Sequence, residues 1–428
     1  MEKFVIEGGR PLRGEIVASG SKNASLPLIS ACLLTEEPLI LHNVPRIADV
    51  RVQVDLLEAL GVSVEELGPR SLRLHAKDIR QTQLDPAICR QVRTSILLAG
   101  PMLGRMGRVE LPPPGGDVIG RRRLDTHMLA LEGLGTTIEF DGLFRMRAPD
   151  LRGADILFDE ASVTGTENAV MAAVRARGTT ILRNVASEPH VQDLCHCLVQ
   201  MGARIDGIGT NTLTIEGVDR LGGAEHTVIA DNIEVGSYIA LAAVTHGELT
   251  IRGACPEHHR MTRLMFGRLG IRFEDRGQDI YVPRHDELVM TPDLRGAVTK
   301  IEDAIWPGFP ADLLSIAITA ATQAKGTALV HEKLFEARMF WVDRLIGMGA
   351  QIILCDPHRC VVIGPSRLHG EATGIPSPDI RAGMALLIAA LVAEGTTVIL
   401  NIRQIDRGYE DIDVKLRSIG AHIRRVEE

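Results

Sequence analysis

Six stretches of the chain are apolar on nearly every side: Leu26–Leu34, Thr94–Leu103, Asn168–Ala176, Gly236–Val244, Asp312–Ala324 and Arg381–Ala393. A surface helix shows one apolar stripe, so all-round apolarity predicts six interior helices. Each run leads into a small-residue turn and then alternating apolar positions, at Glu37–Asn43, Gly107–Leu111, Gly178–Asn184, Gly247–Ile251, Gly326–Val330 and Gly395–Asn401. Alternation of this kind predicts strands. An apolar residue followed by glycine keeps the same rhythm, at Gly61, Gly135, Gly202, Gly270, Gly349 and Gly420, with intervals of 74, 67, 68, 79 and 71 residues. The pattern predicts one unit of helix, strand, helix, turn, strand and strand, about 70 residues long, in six copies. A unit that small buries its apolar helix poorly alone, so the copies must pack together. The expected fold class is α/β, with helices inside and sheets outside, in two compact domains of three units each rather than a solenoid.

Composition narrows the function more than the fold. A formal charge of −8 argues against a general nucleic-acid binder, and 3% aromatic residues argue against base-stacking platforms. The start has no apolar signal core, and the longest apolar run, Gly383–Ala393, is about half what a bilayer span needs, so no membrane partner and a cytoplasmic location are expected. Seven cysteines scattered through 428 residues suggest reduced thiols. His190 with Cys195-His196-Cys197, and Cys255 with His258-His259, lack the paired spacing of a closed zinc site, so no metal is expected.

The candidate chemistry gathers at the edges of the units. Leu111–His127 holds three prolines, paired glycines, Asp117 and the run Arg121-Arg122-Arg123. Such a segment suits either a solvated turn or an arm that carries an acid and guanidinium groups to an anion. Lys22 and Asn23 fall just before the first interior helix, where free N–H groups favour an anion, although Ser21 or Asn23 equally suits a plain N-cap. Arg93 opens the second helix, an unfavourable end for a cation unless an anion joins it. Glu160–Thr166 leads into the third helix and suits a capping turn, or a cradle of N–H groups for phosphate. Asp312 reads as an N-cap of the fifth helix. Arg338, Arg381 and Arg407 are read at helix starts or strand ends, where α/β architectures collect ligand groups.

Together these residues resemble the enolpyruvyl transferase family. The resemblance rests on residues 19–24 (Ser-Gly-Ser-Lys-Asn-Ala), 92–95 (Val-Arg-Thr-Ser), 114–122 (Pro-Gly-Gly-Asp-Val-Ile-Gly-Arg-Arg), 162–168, 309–312, 334–338, 379–381 and 405–410, in the family's order from end to end. It implies a two-domain inside-out α/β barrel, with residues 22–229 in one domain and 1–21 with 230–428 in the other. It implies transfer of the enolpyruvyl group of phosphoenolpyruvate to the 3-hydroxyl of UDP-N-acetylglucosamine by addition and elimination, the first committed step of peptidoglycan synthesis, without a cofactor or metal. By resemblance, Lys22, Arg122 and Arg407 hold the phosphate with Asn23 beside them, and Arg338 and Arg381 add positive charge around phosphoenolpyruvate. Arg93, Arg122, Arg123, Leu124, Asp125, Thr126, Ser162, Val163 and Leu334 bind the sugar nucleotide. Asp312 takes the hydroxyl proton, and Asp117 gives a proton to the methylene carbon or assists release. About five negative charges brought together by the two substrates call for such a crowd of cations.

Asp117 stands where most family members carry cysteine. A carboxylate is a poor nucleophile for the epoxide of fosfomycin, so resistance to that antibiotic is expected. An acid there must carry its proton when it acts, so activity is expected to fall toward alkaline pH. Glu160, Arg123 and Ala311 replace the more common lysine, proline and threonine. They leave open a different acceptor, such as another nucleotide or shikimate 3-phosphate, beside the less favoured reading of a non-catalytic repeat protein.

Overall fold

A computed structural model describes residues 2–117 and 119–427; Val118, within the Leu111–His127 segment, lies outside them. The chain separates into two compact units. The first comprises Met1–Ser19, Val118–Arg121 and Ala230–Glu428, and the second Gly20–Asp117 and Arg122–Ile229. Each has its own apolar core, one built from residues between Phe4 and Ile423, the other from residues between Ala24 and Val228.

All six apolar runs contain helix: α1 (Lys22–Ala31), α2 (Ala99–Met106), α3 (Val163–Ala173), α4 (Asn232–Val244), α5 (Leu314–Ala321) and α6 (Ile380–Val392). Every residue of α4 and α5 is buried, as all-round apolarity requires. Their starts differ from the sequence reading in ways that matter for the site. Lys22 and Asn23 lie inside the first turn of α1, and α3 begins at Val163, five residues before the predicted Asn168. Arg93 opens a 3₁₀ turn, Arg93–Leu98, that runs into α2.

The alternating segments are strands β1 (Leu39–His42), β2 (Arg108–Leu111), β3 (Thr179–Arg183), β4 (Glu248–Arg252), β5 (Gly326–His331) and β6 (Thr396–Leu400). Each lies in a separate sheet, three sheets to a unit. Five of these sheets also take a parallel strand that the repeat pattern did not reveal: Ala224–Thr227 beside β1, Asp155–Leu157 beside β3, Arg13–Val17 beside β4, Thr299–Glu302 beside β5 and Ile375–Pro376 beside β6. The sheet of β6 is completed from the start of the chain. Lys3–Glu7 pairs antiparallel with β6 on one side and with His422–Val426 on the other.

The recurring glycine has one backbone reason. All six copies have φ between 83° and 103°, where a Cβ would be strained. They end or follow a helix and reverse the chain into the next strand, a left-handed helix terminator.

Candidate functional site

In the second unit the predicted cations are held by acids and carbonyls from distant segments. Ser21 caps α1 through its hydroxyl to the Ala24 N–H (3.3 Å), so the capping reading holds and the Lys22 side chain is left for other work. Lys22 Nζ lies 2.7 Å from Asp49 Oδ2, with Asn23 half-buried beside it. Asp49 and Gln53 share a face of the helix Ala48–Leu60, being four residues apart. Gln53 accepts from the Thr94 hydroxyl at 3.0 Å, so one helix steadies both the Lys22 turn and the Arg93 turn.

Arg93 reaches the arginine run. Its Nη2 donates to the carbonyls of Arg122 (2.8 Å) and Arg123 (2.9 Å). Burial and the neighbouring charge of Arg122 push the Arg93 pKa down to about 10. Gly116, at φ 107°, gives these side chains room: a Cβ there would sit 3.0 Å from Arg93 Cβ and 3.4 Å from Arg122 Nη1. Asp117 follows it, half-buried. Arg123 is spread between Asp125 (3.2 Å) and Asp159 (2.8 Å). The Thr126 hydroxyl bonds Asp159 at 2.8 Å and Glu160 at 3.4 Å. A shallow pocket beside these residues is lined by Leu124, Asp125, Met128, Leu129, Phe144 and Asp159. Ser162 caps α3 through the Gly165 N–H, the capping role its sequence suits, and Val163 is the first residue of that helix. Behind them His127 is buried between Thr164 (3.0 Å) and Asn168 (3.1 Å), and burial drives its pKa down to about 3.

In the first unit Asp312 is not the expected N-cap. It lies in the 3₁₀ turn Ala311–Leu313. Its Oδ1 is 2.8 Å from Arg338 Nη2 and its Oδ2 is 3.2 Å from Arg381 Nε. Arg381 is 5% exposed. Burial opposes its charge, but the Asp312 carboxylate facing it holds its pKa above the ordinary arginine value. Asp379 caps α6 through the N–H groups of Arg381 and Ala382, which fixes where Arg381 leaves the helix. Arg338 stands over the Phe335 ring (4.4 Å) and Arg381 over the Tyr409 ring (5.4 Å). Arg407 ends the short helix Arg403–Asp406 and bonds Gln404 at 2.8 Å, so it occupies a helix end and not a start. Leu334 is 42% exposed.

The sequence reading missed Asp49 and Asp159, which hold Lys22, Arg123 and Thr126 in place, and the buried His127, which bonds Thr164 and Asn168. Asp49 carried a faint signal, a carboxylate opening an otherwise ordinary helix. The Cys195 and Cys197 thiols lie buried in Pro189–Gln200, and among the described residues no group of three or more His, Cys, Asp or Glu could hold a metal ion. No helix among them is long and apolar enough to cross a membrane.

The six-sheet architecture is that of an enolpyruvyl transferase. NikO of Streptomyces tendae, described as an enolpyruvyl transferase, superposes with a TM-score of 0.88 at 23% identity over 99% of both chains. An EPSP synthase of Acinetobacter baumannii gives 0.74 at 16% identity over the whole of both. The EPSP synthase (3-phosphoshikimate 1-carboxyvinyltransferase) family matches residues 6–416, and the chain belongs to it. Its relatives include proteins named UDP-N-acetylglucosamine 1-carboxyvinyltransferase. That of Bradyrhizobium diazoefficiens is 55% identical over all of this chain and 98% of its own. That of Treponema denticola is 52% identical over the whole of both.

Proposed function

We propose that the protein is an enzyme that transfers the enolpyruvyl group of phosphoenolpyruvate to the 3-hydroxyl of UDP-N-acetylglucosamine, releasing phosphate, in peptidoglycan synthesis in the cytoplasm. The observation that carries the reading is Asp312, a carboxylate with each oxygen on a different guanidinium, in a chain about half identical to enzymes of that name along its whole length.

Phosphoenolpyruvate brings a phosphate and a carboxylate, both better partners for a guanidinium than one aspartate. Drawing Arg338 or Arg381 onto the substrate releases a carboxylate oxygen of Asp312. That oxygen then takes the proton of the attacking hydroxyl as carbon–oxygen bond formation begins. Lys22, Arg122 and Arg407 hold the phosphate, with Asn23 beside the reacting centre. Asp117 delivers a proton to the methylene carbon; the resulting methyl group then gives up a proton as the carbon–oxygen bond to phosphate breaks, which restores the double bond and releases phosphate. Arg93, Arg123, Leu124, Asp125, Thr126, Ser162, Val163 and Leu334 receive the sugar nucleotide. Arg93 also fixes the loop backbone through the two carbonyls it already holds.

Release of inorganic phosphate from phosphoenolpyruvate tests the reading. It should require UDP-N-acetylglucosamine, and shikimate 3-phosphate should not replace it. Turnover with shikimate 3-phosphate alone would reassign the acceptor, and no turnover with either would remove the catalytic reading.

A further inference from the structure

The first unit holds a second pair of carboxyl groups, to which the chemistry above assigns no role. Asp303 and Glu332 are 0% and 1% exposed. They follow directly on two parallel strands, Thr299–Glu302 and β5, whose last residues, Glu302 and His331, are partners in register. Two carboxylates buried side by side cannot both stay ionised at modest cost. Burial and the hydrogen bond to Asp303 push the Glu332 carboxyl well above the ordinary glutamate range, which favours a proton on Glu332 donated to Asp303.

The other oxygen contacts all go to one segment. Asp303 Oδ1 accepts the Lys333 N–H (2.5 Å) and Oδ2 the Leu334 N–H (3.2 Å). Glu332 Oε1 accepts the Phe335 N–H (3.2 Å). Three successive amides are thus held by a pair that shares one proton. The next three residues carry the segment's outward contacts. Glu336 accepts the Arg121 N–H (2.8 Å), Ala337 donates to the Ile119 carbonyl (3.2 Å), and Arg338 holds Asp312.

We infer that the Asp303–Glu332 pair is the positioning device that sets the segment Lys333–Arg338, and through it the placement of Leu334, Glu336 and Arg338. Losing the shared proton would leave two negative charges face to face. The charged groups around Glu332 are Asp303 and Arg338, with Asp379 and Arg381 lining the same small cavity. The His358 ring bonds the Glu332 backbone carbonyl and not its carboxyl group. The kinetic consequence rests on the proposed role of Arg338 in holding phosphoenolpyruvate; the structural consequence does not.

Glu332→Gln keeps a donor for Asp303 and an acceptor for Phe335 but removes the titration, whereas Glu332→Ala removes both contacts. In Glu332→Ala, amide hydrogen exchange at residues 333–338 should quicken at least tenfold, and the KM for phosphoenolpyruvate should rise at least tenfold with a smaller change in kcat. Glu332→Gln should stay near the parent in both. Exchange at 333–338 in the parent, corrected for intrinsic base catalysis, should quicken as the pH is raised into the alkaline range, and Glu332→Gln should abolish that rise. Unchanged exchange in Glu332→Ala, or loosening in Glu332→Gln equal to that in Glu332→Ala, overturns the inference. If exchange quickens and KM does not move, the positioning role stands and the substrate role of Arg338 falls. Should Glu332→Ala fail to fold, Asp303→Asn carries the same test. It keeps the volume but leaves one acceptor oxygen for two N–H groups, so exchange at Lys333 and Leu334 should quicken, and unchanged exchange there overturns the inference.

Discussion

Asp312 and Asp117 carry the two proposed proton transfers from unlike settings. Asp312 is pinned by two guanidinium groups, while Asp117 is half-buried in an irregular segment. Asp312→Asn keeps the size and removes the base, so kcat should fall about 10²- to 10⁴-fold while titration calorimetry still detects the nucleotide. Asp117 should leave the enzyme active after incubation with stoichiometric fosfomycin, and Asp117→Cys should introduce time-dependent inactivation. Inactivation of the parent protein would show that the carboxylate reacts. His127 makes a stability prediction. Its folded pKa of about 3 lies below the ordinary value, so the unfolded chain binds more protons between about pH 3 and 6.5 and stability falls as pH drops through that window. Protonation would set a donor on Nδ1 against the Asn168 amide. His127→Asn should flatten that slope in denaturant titrations by an amount equivalent to a few kcal/mol across the window. None of this was legible around residue 127, because burial depends on neighbours 37 and 41 positions away.

The helices and the main strands were legible because their signal is local. All-round apolarity marks a buried helix and alternation marks a half-buried strand, whatever the partners are. The parallel strands beside them were not, since two to five residues such as Ile375–Pro376 carry too little pattern and exist only by pairing with β6. Ion-pair partners are hidden for the same reason: nothing around Asp49 announces Lys22. That pair is nearly enclosed, with side chains 12% and 7% exposed, so Asp49→Ala takes a carboxylate from a largely buried cation. It should cost about 3 kcal/mol in chemical unfolding. Asp49→Asn, which keeps a polar partner, should cost less. The repeat's glycine gives a cleaner test of an element boundary. Nothing lies within 4 Å of a Cβ placed at Gly202, whose φ is 103°. Gly202→Ala should therefore lose about 1 kcal/mol from backbone strain alone, and Gly202→Asn less, because asparagine tolerates that conformation.

At the scale of the molecule the sequence rhythm already implied six units, yet it could not show that the last one is finished by the first residues of the chain. Lys3–Glu7 lies between β6 and His422–Val426, pairing with each over five residues. Phe4 and Ile6 point inward at 0% exposure, with Val5 between them turned the other way. Alternation is visible in Phe4-Val5-Ile6, but a strand that short names no partner, and its partners lie about 400 residues away. Phe4→Ala removes a ring from the first core and should cost about 3 to 5 kcal/mol, whereas Val5→Thr should cost under 1 kcal/mol. Deleting residues 1–9 does more, because it takes the antiparallel partner from two strands at once and leaves their N–H and C=O groups unpaired beside a buried helix. The first core contains Phe4 and Ile6, and the buried members of the second run from Ala24 to Val228. Amide protection should accordingly drop in β6, His422–Val426 and α6 before it drops in α1 or α3. Adding a peptide of residues 1–10 in trans should recover part of it by restoring the missing strand. Loss of protection spread evenly over both cores would mean that the N-terminal strand supports the whole chain and not one sheet of one unit.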